Sequence, residues 1–133
     1  LEFAYRDSSL FRMDAVVVRV GLKLLPGERD GIMMQMKEYQ RKRGLSQPLE
    51  FPSCGSVFRN PANDHAGRLV ELSGLRGLQI GGAAVSTKHG NFIVNMGGAT
   101  AADVRELIEQ VQEQVYDYAG IKLEPEVKFV GEF

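Results

Sequence analysis

The alternation of apolar and polar residues predicts two main strands in this chain. Residues 15–24 begin with a β-branched run, and from Val18 onward apolar residues alternate with polar residues or glycine, which predicts a strand with one buried face. Residues 121–130 predict a last strand, with Val127 and Phe129 on one face. Shorter strands are expected at Val57–Phe58, Leu78–Ile80, Ala83–Val85 and Phe92–Val94.

Helical spacing of the apolar residues predicts three helices. Residues 28–43 place Ile32, Met36 and Tyr39 on one face, and Gly44 is expected to end this helix. A short helix is predicted over 66–72. The clearest helix is predicted from Thr100 to Tyr118, where a continuous apolar stripe is preceded by Thr100 and Asp103 in the arrangement of a capping box. Gly120 is expected to end it.

Strands and helices are mixed along the chain with short connections. This order predicts an α+β or an α/β class. Of these we expect α+β, a mixed or antiparallel sheet with flanking helices. The length of 133 residues suits one domain, with room for a small part of another. The Pro-, Ser- and Gly-rich composition that begins at Gly44 marks the clearest internal boundary.

Charge and composition exclude several classes of protein. Lys and Arg total 16 against 17 Asp and Glu, so the net charge of −1 argues against a general nucleic-acid binder. No apolar run approaches the roughly 18 residues of a membrane helix. The single cysteine, Cys54, forms no disulfide within the chain and suggests a reduced cytosolic setting. The chain begins at Leu1 rather than Met, so we expect a fragment of a longer protein.

The most unusual segment is residues 52–61, where small polar residues and glycine lie between prolines. A simple turn into a strand is one interpretation. The other is a ligand loop in which Gly55 allows close approach of the backbone and Ser56 presents its hydroxyl. As an enzyme site, the loop would use Ser56 as a proton donor to a developing carbanion.

A thiol hydrolase is a competing interpretation of the same loop. Cys54 would be the nucleophile, with His89 and either Asn91 or Asn95 as partners. The papain-type signature is incomplete, because Val57 stands where the catalytic cysteine of that pattern is expected. A metal site is not favoured, since the chain offers one cysteine and two histidines that are far apart in sequence.

Other charged and glycine-rich positions have ordinary and functional interpretations. Gly81-Gly82 is a tight turn or a phosphate cradle, and Lys88-His89 is a solvated pair or an anion site. Arg6 is suited to bidentate carboxylate binding. Glu126, if its side chain enters a pocket, is suited to act as an acid.

Seven motifs in one order resemble the UDP-N-acetylenolpyruvoylglucosamine reductase family over essentially the whole chain. They are Tyr-Arg-Asp-Ser at 5–8, Cys-Gly-Ser-Val-Phe-Arg-Asn-Pro at 54–61, Ala-Gly-Arg-Leu-Val-Glu at 66–71, Gly-Leu-Arg-Gly at 74–77, Ile-Gly-Gly-Ala-Ala-Val-Ser at 80–86, Lys-His-Gly-Asn-Phe-Ile-Val-Asn at 88–95 and Leu-Glu-Pro-Glu-Val-Lys-Phe-Val-Gly at 123–131. The short spacing between Arg6 and Ser56 is similar to the compact branch that lacks a substrate-covering tyrosine loop.

The resemblance implies a cytoplasmic bacterial flavoenzyme of peptidoglycan precursor synthesis. In that family NADPH reduces FAD, hydride reaches C3 of the enolpyruvyl group of the UDP-sugar, and the enzyme protonates C2. Residues 1–25 would be the end of the FAD-binding domain and 26–133 a connecting helix with the substrate domain. Most of the FAD site would lie in a missing N-terminal domain, so the chain alone is expected to be inactive. Neither nucleic acid nor membrane is implied as a partner.

The resemblance also implies roles for single residues. Ser56 would be the proton donor, and Arg6 and Glu126 would stabilise the charge that spreads into the substrate carboxylate. Substrate contacts are implied for Tyr5, Asn60, Arg76, Lys88, His89 and Lys128, and cofactor contacts for Arg43 and Gly55. A non-catalytic nucleotide-sugar-binding module is the alternative function.

Overall fold

All strands in residues 1–131, the part of the chain that the computed structural model describes, pair in antiparallel fashion. These residues form two units, Leu1–Met33 and the part from Met34 onward. Together the strands and helices confirm the predicted α+β class. The last two residues of the predicted 26–133 segment lie outside the described residues.

The N-terminal unit begins with a small hairpin. Strand β1 (Phe3–Ala4) pairs with β2 (Asp7–Ser8), and a 3₁₀ turn follows over Ser9–Arg12. Tyr5 and Arg6 form the two-residue turn, where Arg6 adopts a left-handed backbone with φ of 53°. A two-residue hairpin turn commonly requires such positive φ.

The strand predicted over 15–24 is wrong for the described structure. These residues form neither strand nor helix, and Val18 is 92% exposed. Their β-branched, alternating sequence suits a strand, but a strand needs a neighbour with free N–H and C=O groups. The only strands described in this unit, β1 and β2, pair with each other.

Helix α1 spans Arg29–Ser46, so the predicted end at Gly44 is wrong. Glycine is tolerated inside a helix at a modest cost, and this helix ends just before Pro48, which disfavours helical backbone at the residue before it. The predicted apolar face is present but not buried, since α1 contains no buried residue and Tyr39 is 60% exposed.

The second unit is built on a four-stranded sheet with the order β3-β6-β5-β4. The strands are β3 (Ser53–Ser56), β4 (Gln79–Ile80), β5 (Ala83–Val85) and β6 (Phe92–Asn95). Helices α2 (Ala66–Leu72) and α3 (Ala101–Ala119) contribute to the same core. That core consists of Val57, Phe58, Ala66, Leu69, Val70, Leu75, Ala83, Val85, Ile93, Leu107, Ile108, Val111, Val115 and Leu123.

Helix α3 begins and ends as its sequence predicts. The Thr100 hydroxyl accepts the N–H of Asp103, and the Asp103 carboxylate accepts the N–H of Thr100, which completes the capping box. Gly120 follows in the left-handed conformation with φ of 67°. The predicted stripe faces the core through Leu107, Ile108, Val111 and Val115.

The final segment does not form the strand predicted over 121–130. It pairs at one point only, the bridge between Phe58 and Pro125. The N–H of Glu126 donates to the carbonyl of Val57 at 2.7 Å, and the N–H of Arg59 donates to the carbonyl of Glu124 at 2.9 Å. Pro125 has no N–H, which limits the ladder. The strand predicted at Val57–Phe58 is likewise displaced, because β3 ends at Ser56.

Candidate functional site

A polar cleft of about 320 Å³ lies in the second unit, between the end of β3, helix α2 and the 86–91 loop. Five residues that the resemblance implies line this cleft together: Ser56, Asn60, Arg76, Lys88 and His89. The other lining residues are His65, Gly67, Arg68, Glu71, Gly90 and Asn91. The fold therefore brings together positions up to 35 residues apart in sequence.

Ser56 enters the cleft from the last position of β3. Its backbone pairs with Phe92 of β6, and the residue is half-buried. Gly55 precedes it with φ of +83°, a conformation that favours glycine, and a Cβ there would meet no atom within 4 Å. The backbone beside Ser56 is therefore open to close approach by a ligand.

His89 is held as a neutral imidazole. Burial, and next the positive charge of Arg76, lower the pKa of His89 from its ordinary 6.5. Its Nδ1 accepts the backbone N–H of Asn91 at 3.2 Å. An accepting Nδ1 places the ring hydrogen on Nε2, so this ring is a hydrogen-bond donor through Nε2.

Each cation at the cleft is paired with a carboxylate. Arg76 donates to Glu71 at 2.8 Å, and Arg68 donates to Asp64 at 2.7 Å. Lys88 lies 3.4 Å from Glu50. These contacts orient the long side chains without burying them, so their charges stay accessible to an anionic ligand.

Asn60 joins the cleft to the start of helix α2. Its Oδ1 accepts the N–H of Ala66 at 3.1 Å, which satisfies one N–H at the beginning of that helix. The sequence interpretation assigned Asn60 to the substrate, and the structure gives it this additional local role.

Six of the implied site residues do not line the cleft. Arg43 lies on the exposed surface of α1, where its Nε donates to Gln47, and Lys128 is exposed. Gly55 adjoins the cleft through Ser56 alone. Glu126 is half-buried and reaches the neighbourhood of Ser56 through its backbone bond to Val57. Tyr5 and Arg6 belong to the N-terminal unit, where the Arg6 guanidinium lies 5.6 Å from the centre of the Tyr5 ring.

The thiol hydrolase arrangement is not assembled by the described residues. Cys54 lines a separate apolar pocket with Ile93 and Val104, and desolvation raises the pKa of its thiol. Both side-chain amide atoms of Asn91 are engaged by the main chain of Phe58. Asn95, the alternative amide partner, lines the same pocket as Cys54, but His89 lines the polar cleft instead. The nucleophile and its proposed base therefore do not share a pocket.

The Gly81-Gly82 turn is occupied by a carboxylate of the chain itself. The Asp103 carboxylate accepts the N–H of Gly82 at 3.3 Å, and a Cβ at Gly81 would collide with it. A phosphate cannot take the same place, so the phosphate-cradle interpretation is wrong.

Sequence reasoning missed the contribution of helix α2. Its apolar residues Leu69 and Val70 are buried, which leaves Arg68 and Glu71 on the opposite face, three residues apart. Both line the cleft. The helical spacing of the predicted 66–72 segment was sufficient to indicate that these two residues share a face. It did not indicate that this face lines the cleft.

The described residues contain no group of three or more His, Cys, Asp or Glu side chains arranged to hold a metal ion. Among the helices described in residues 1–131, none is long and apolar enough to cross a membrane.

Comparison with known proteins decides the family. The model of the C-terminal domain of UDP-N-acetylenolpyruvoylglucosamine reductase matches residues 47–130. The chain belongs to this reductase family. The matched segment includes every residue that lines the cleft.

Relatives in the reductase family match nearly the whole chain. UDP-N-acetylenolpyruvoylglucosamine reductase of Heliobacterium modesticaldum is 51% identical over 99% of this chain and 42% of its own length. The reductase of Nostoc punctiforme is 49% identical over 100% of this chain and 40% of its own length. The chain therefore spans about two fifths of the length of these relatives.

A solved structure shares the fold. The UDP-N-acetylenolpyruvylglucosamine reductase of Thermus caldophilus superposes with a TM-score of 0.69 and 42% sequence identity, over 80% of this chain and 37% of that one. The same α+β arrangement therefore occurs within a longer reductase.

Proposed function

We propose that this chain forms the substrate-binding part of a reductase that converts UDP-N-acetylglucosamine enolpyruvate to UDP-N-acetylmuramate. Family membership supports the reaction class. The observation that carries the proposal is the convergence of Ser56, Arg76, Lys88 and His89 on one cleft. The complete reaction belongs to a protein of the length of the relatives, of which this chain is about two fifths.

The charges around the cleft suit the pyrophosphate of a nucleotide sugar. A guanidinium binds phosphate oxygens with two parallel hydrogen bonds, whereas an ammonium acts as a point charge. Arg76 and Lys88 supply one of each, and the Nε2–H of His89 adds a neutral donor. We assign Asn60 to the sugar, and Lys128 and Tyr5 to outer contacts that the motifs alone support.

Ser56 is the proposed proton donor. Its Oγ–H bond breaks as the proton forms a new C–H bond at C2 of the enolpyruvyl group, while hydride is added at C3. Negative charge that builds at C2 spreads into the neighbouring carboxylate, so a cation and an acid there stabilise the transition state. We assign those roles to Arg6 and Glu126.

FAD is the proposed cofactor, with NADPH as the reductant. The chain fits such a group at one edge, because the open side of Gly55 leaves room beside Ser56. Bound there, a reduced flavin supplies the hydride. Arg43 would add a charge contact, and the remaining contacts would come from the longer protein. These 133 residues alone should therefore show no turnover, since they span about two fifths of the length of the relatives. The complete reductase is proposed to act in the bacterial cytoplasm.

A binding experiment tests the substrate assignment. The longest natural polypeptide that carries these 133 residues is titrated calorimetrically with UDP-N-acetylglucosamine enolpyruvate. Arg76→Gln should weaken binding about 10- to 100-fold, because charge-assisted hydrogen bonds contribute about 1.5–3 kcal/mol each. The matched control is Arg105→Gln, which removes an exposed arginine paired with Glu109 on α3.

The outcomes separate the alternatives. Equal binding by the wild type and Arg76→Gln would contradict the assignment of the cleft. Binding without bound flavin or NADPH oxidation in the longer polypeptide would favour a non-catalytic nucleotide-sugar-binding module.

A further inference from the structure

Asn91 connects the two parts of the cleft that the proposed reaction uses. The residue is 5% exposed. Its Oδ1 accepts the N–H of Phe58, and its Nδ2 donates to the carbonyl of Phe58, each at 2.9 Å. A buried amide with both groups satisfied in this way fixes the backbone that it contacts.

Phe58, whose main chain the Asn91 side chain contacts, continues the chain from the strand that carries Ser56. Strand β3 ends at Ser56, and the N–H of Val57 still donates to the main-chain carbonyl of Asn91 at 3.0 Å. At Phe58 the Asn91 side chain takes over the pairing that a further strand residue would provide. The direction in which the chain leaves Ser56 is therefore set by residue 91.

The same residue fixes His89 from the other side. The backbone N–H of Asn91 donates to Nδ1 of His89, and the ring packs edge-on against Phe92 at 4.9 Å between centres. Gly67 of α2 lies behind the ring, where a Cβ would come within 3.1 Å of Cε1. An imidazole confined in this way presents Nε2–H in one direction only if residue 91 stays in place.

We infer that Asn91 is a positioning residue. Its side chain fixes the segment that follows Ser56, and its backbone N–H fixes the Nε2–H form of His89, so the two groups keep a constant relative position in the cleft. The inference rests on the proposed function for its consequence in catalysis. Its structural part is independent of any substrate: the Asn91 side chain anchors residue 91 to Phe58, and the anchored backbone N–H of Asn91 holds Nδ1 of His89.

The first test is made on the 133-residue chain without ligand. Imidazole ¹⁵N shifts report which ring nitrogen carries the hydrogen, and His65→Gln assigns the signals because the chain has only two histidines. The wild type should show the Nε2–H form of His89. Asn91→Ala should give a mixture of the two tautomers, while Asn91→Asp, which keeps an oxygen acceptor for Phe58 N–H, should lie between.

Asn95→Ala is the matched control. Asn95 is the last residue of β6, which begins directly after Asn91, and its Oδ1 accepts the N–H groups of Gly97 and Ala99. This variant also loses side-chain bonds to the backbone, but it should leave the His89 tautomer unchanged. Unchanged His89 signals in a folded Asn91→Ala chain, or an equal change in Asn95→Ala, would overturn the inference.

The second test uses the longest natural polypeptide that carries the chain. Asn91→Ala should lower kcat for the enolpyruvyl substrate by about 10- to 100-fold, because small displacements of reacting groups have effects of that size. Reduction of the bound flavin by NADPH should keep its wild-type rate. An unchanged kcat would overturn the catalytic part of the inference. Failure of the wild type itself to convert the substrate would contradict the proposed function instead, and would leave the NMR result standing.

Discussion

The backbone N–H of Glu126 donates to the carbonyl of Val57 at 2.7 Å, so the final segment of the chain runs beside the residue that follows Ser56. Glu126 and Val57 are 69 positions apart in sequence. This bond and the one from the N–H of Arg59 to the carbonyl of Glu124 link the motif at 123–131 to the motif at 54–61. The backbone of Glu126 therefore lies beside the segment that carries Ser56, as the role proposed for the Glu126 side chain requires.

Glu126→Gln tests this relationship. The amide keeps the size of the side chain but cannot donate a carboxylic proton. In the longer polypeptide, product formation should fall by about 10²- to 10⁴-fold, the usual contribution of a positioned general acid or base, while substrate binding persists. Steady-state kinetics and calorimetry measure the two quantities. Glu124→Gln, an exposed glutamate two residues earlier, is the control, and an equal loss there would contradict a specific role for Glu126.

Arg76→Gln should raise the pKa of His89. Burial and the Arg76 charge both lower that pKa, so removal of the charge leaves burial as the remaining cause. An NMR titration of the His89 ring measures the change. A pKa that stays the same or falls further would contradict the electrostatic coupling of the two residues.

The same lowered pKa makes stability depend on pH. The unfolded chain takes up a proton at His89 near the ordinary pKa of 6.5, whereas the folded chain resists it. The free energy of unfolding should therefore be highest above 6.5 and fall as the pH drops through the folded pKa. Denaturant unfolding at about pH 7.5 and about pH 5.5 measures this difference, which His89→Gln should reduce.

Helix α2 and the 89–91 loop approach too closely to admit a side chain at Gly90. A Cβ there would lie 2.5 Å from the carbonyl oxygen of Gly67. Gly90→Ala should lower the free energy of unfolding by about 1–3 kcal/mol, as overpacked positions do. Gly44→Ala in α1, where a Cβ meets nothing within 4 Å, should raise it by about 0.5–1 kcal/mol. Equal stability of the two variants would contradict the close packing.

Sequence patterns predicted the parts of the fold that depend on local signals. The amphipathic stripe and capping box located α3, and the apolar spacing located α2. Residues 15–24 have an equally clear strand pattern, but pairing depends on a neighbouring strand that local sequence does not report. The end of α1 depended on Pro48 rather than on Gly44.

The cleft was predictable only in part, because some of its residues belong to local motifs and others depend on contacts between distant segments. Motifs named Ser56, Arg76 and His89, and the fold places them together. The roles of Asn91 and Gly67 could not be read from the sequence, because they arise from contacts across 33 and 22 positions. Whether Arg6 acts on the substrate stays a prediction from its motif.

Cys54→Ala separates the reductase from the thiol hydrolase. Because Cys54 lines an apolar pocket apart from His89 and its thiol has a raised pKa, its removal should leave substrate reduction unchanged. Loss of activity in this variant, measured by NADPH oxidation in the longer polypeptide, would contradict the choice of Ser56 over Cys54.

The most direct test of Ser56 as the proton donor is a single-turnover experiment on Ser56→Ala in the longest natural polypeptide that carries the chain. Stopped-flow absorbance follows flavin reduction by NADPH, and product analysis follows formation of UDP-N-acetylmuramate. We predict that flavin reduction survives while product formation falls by at least about 10²-fold, with Ser53→Ala on the same strand behaving as the wild type. Product formation at the wild-type rate in Ser56→Ala would contradict the assignment of the proton to this residue.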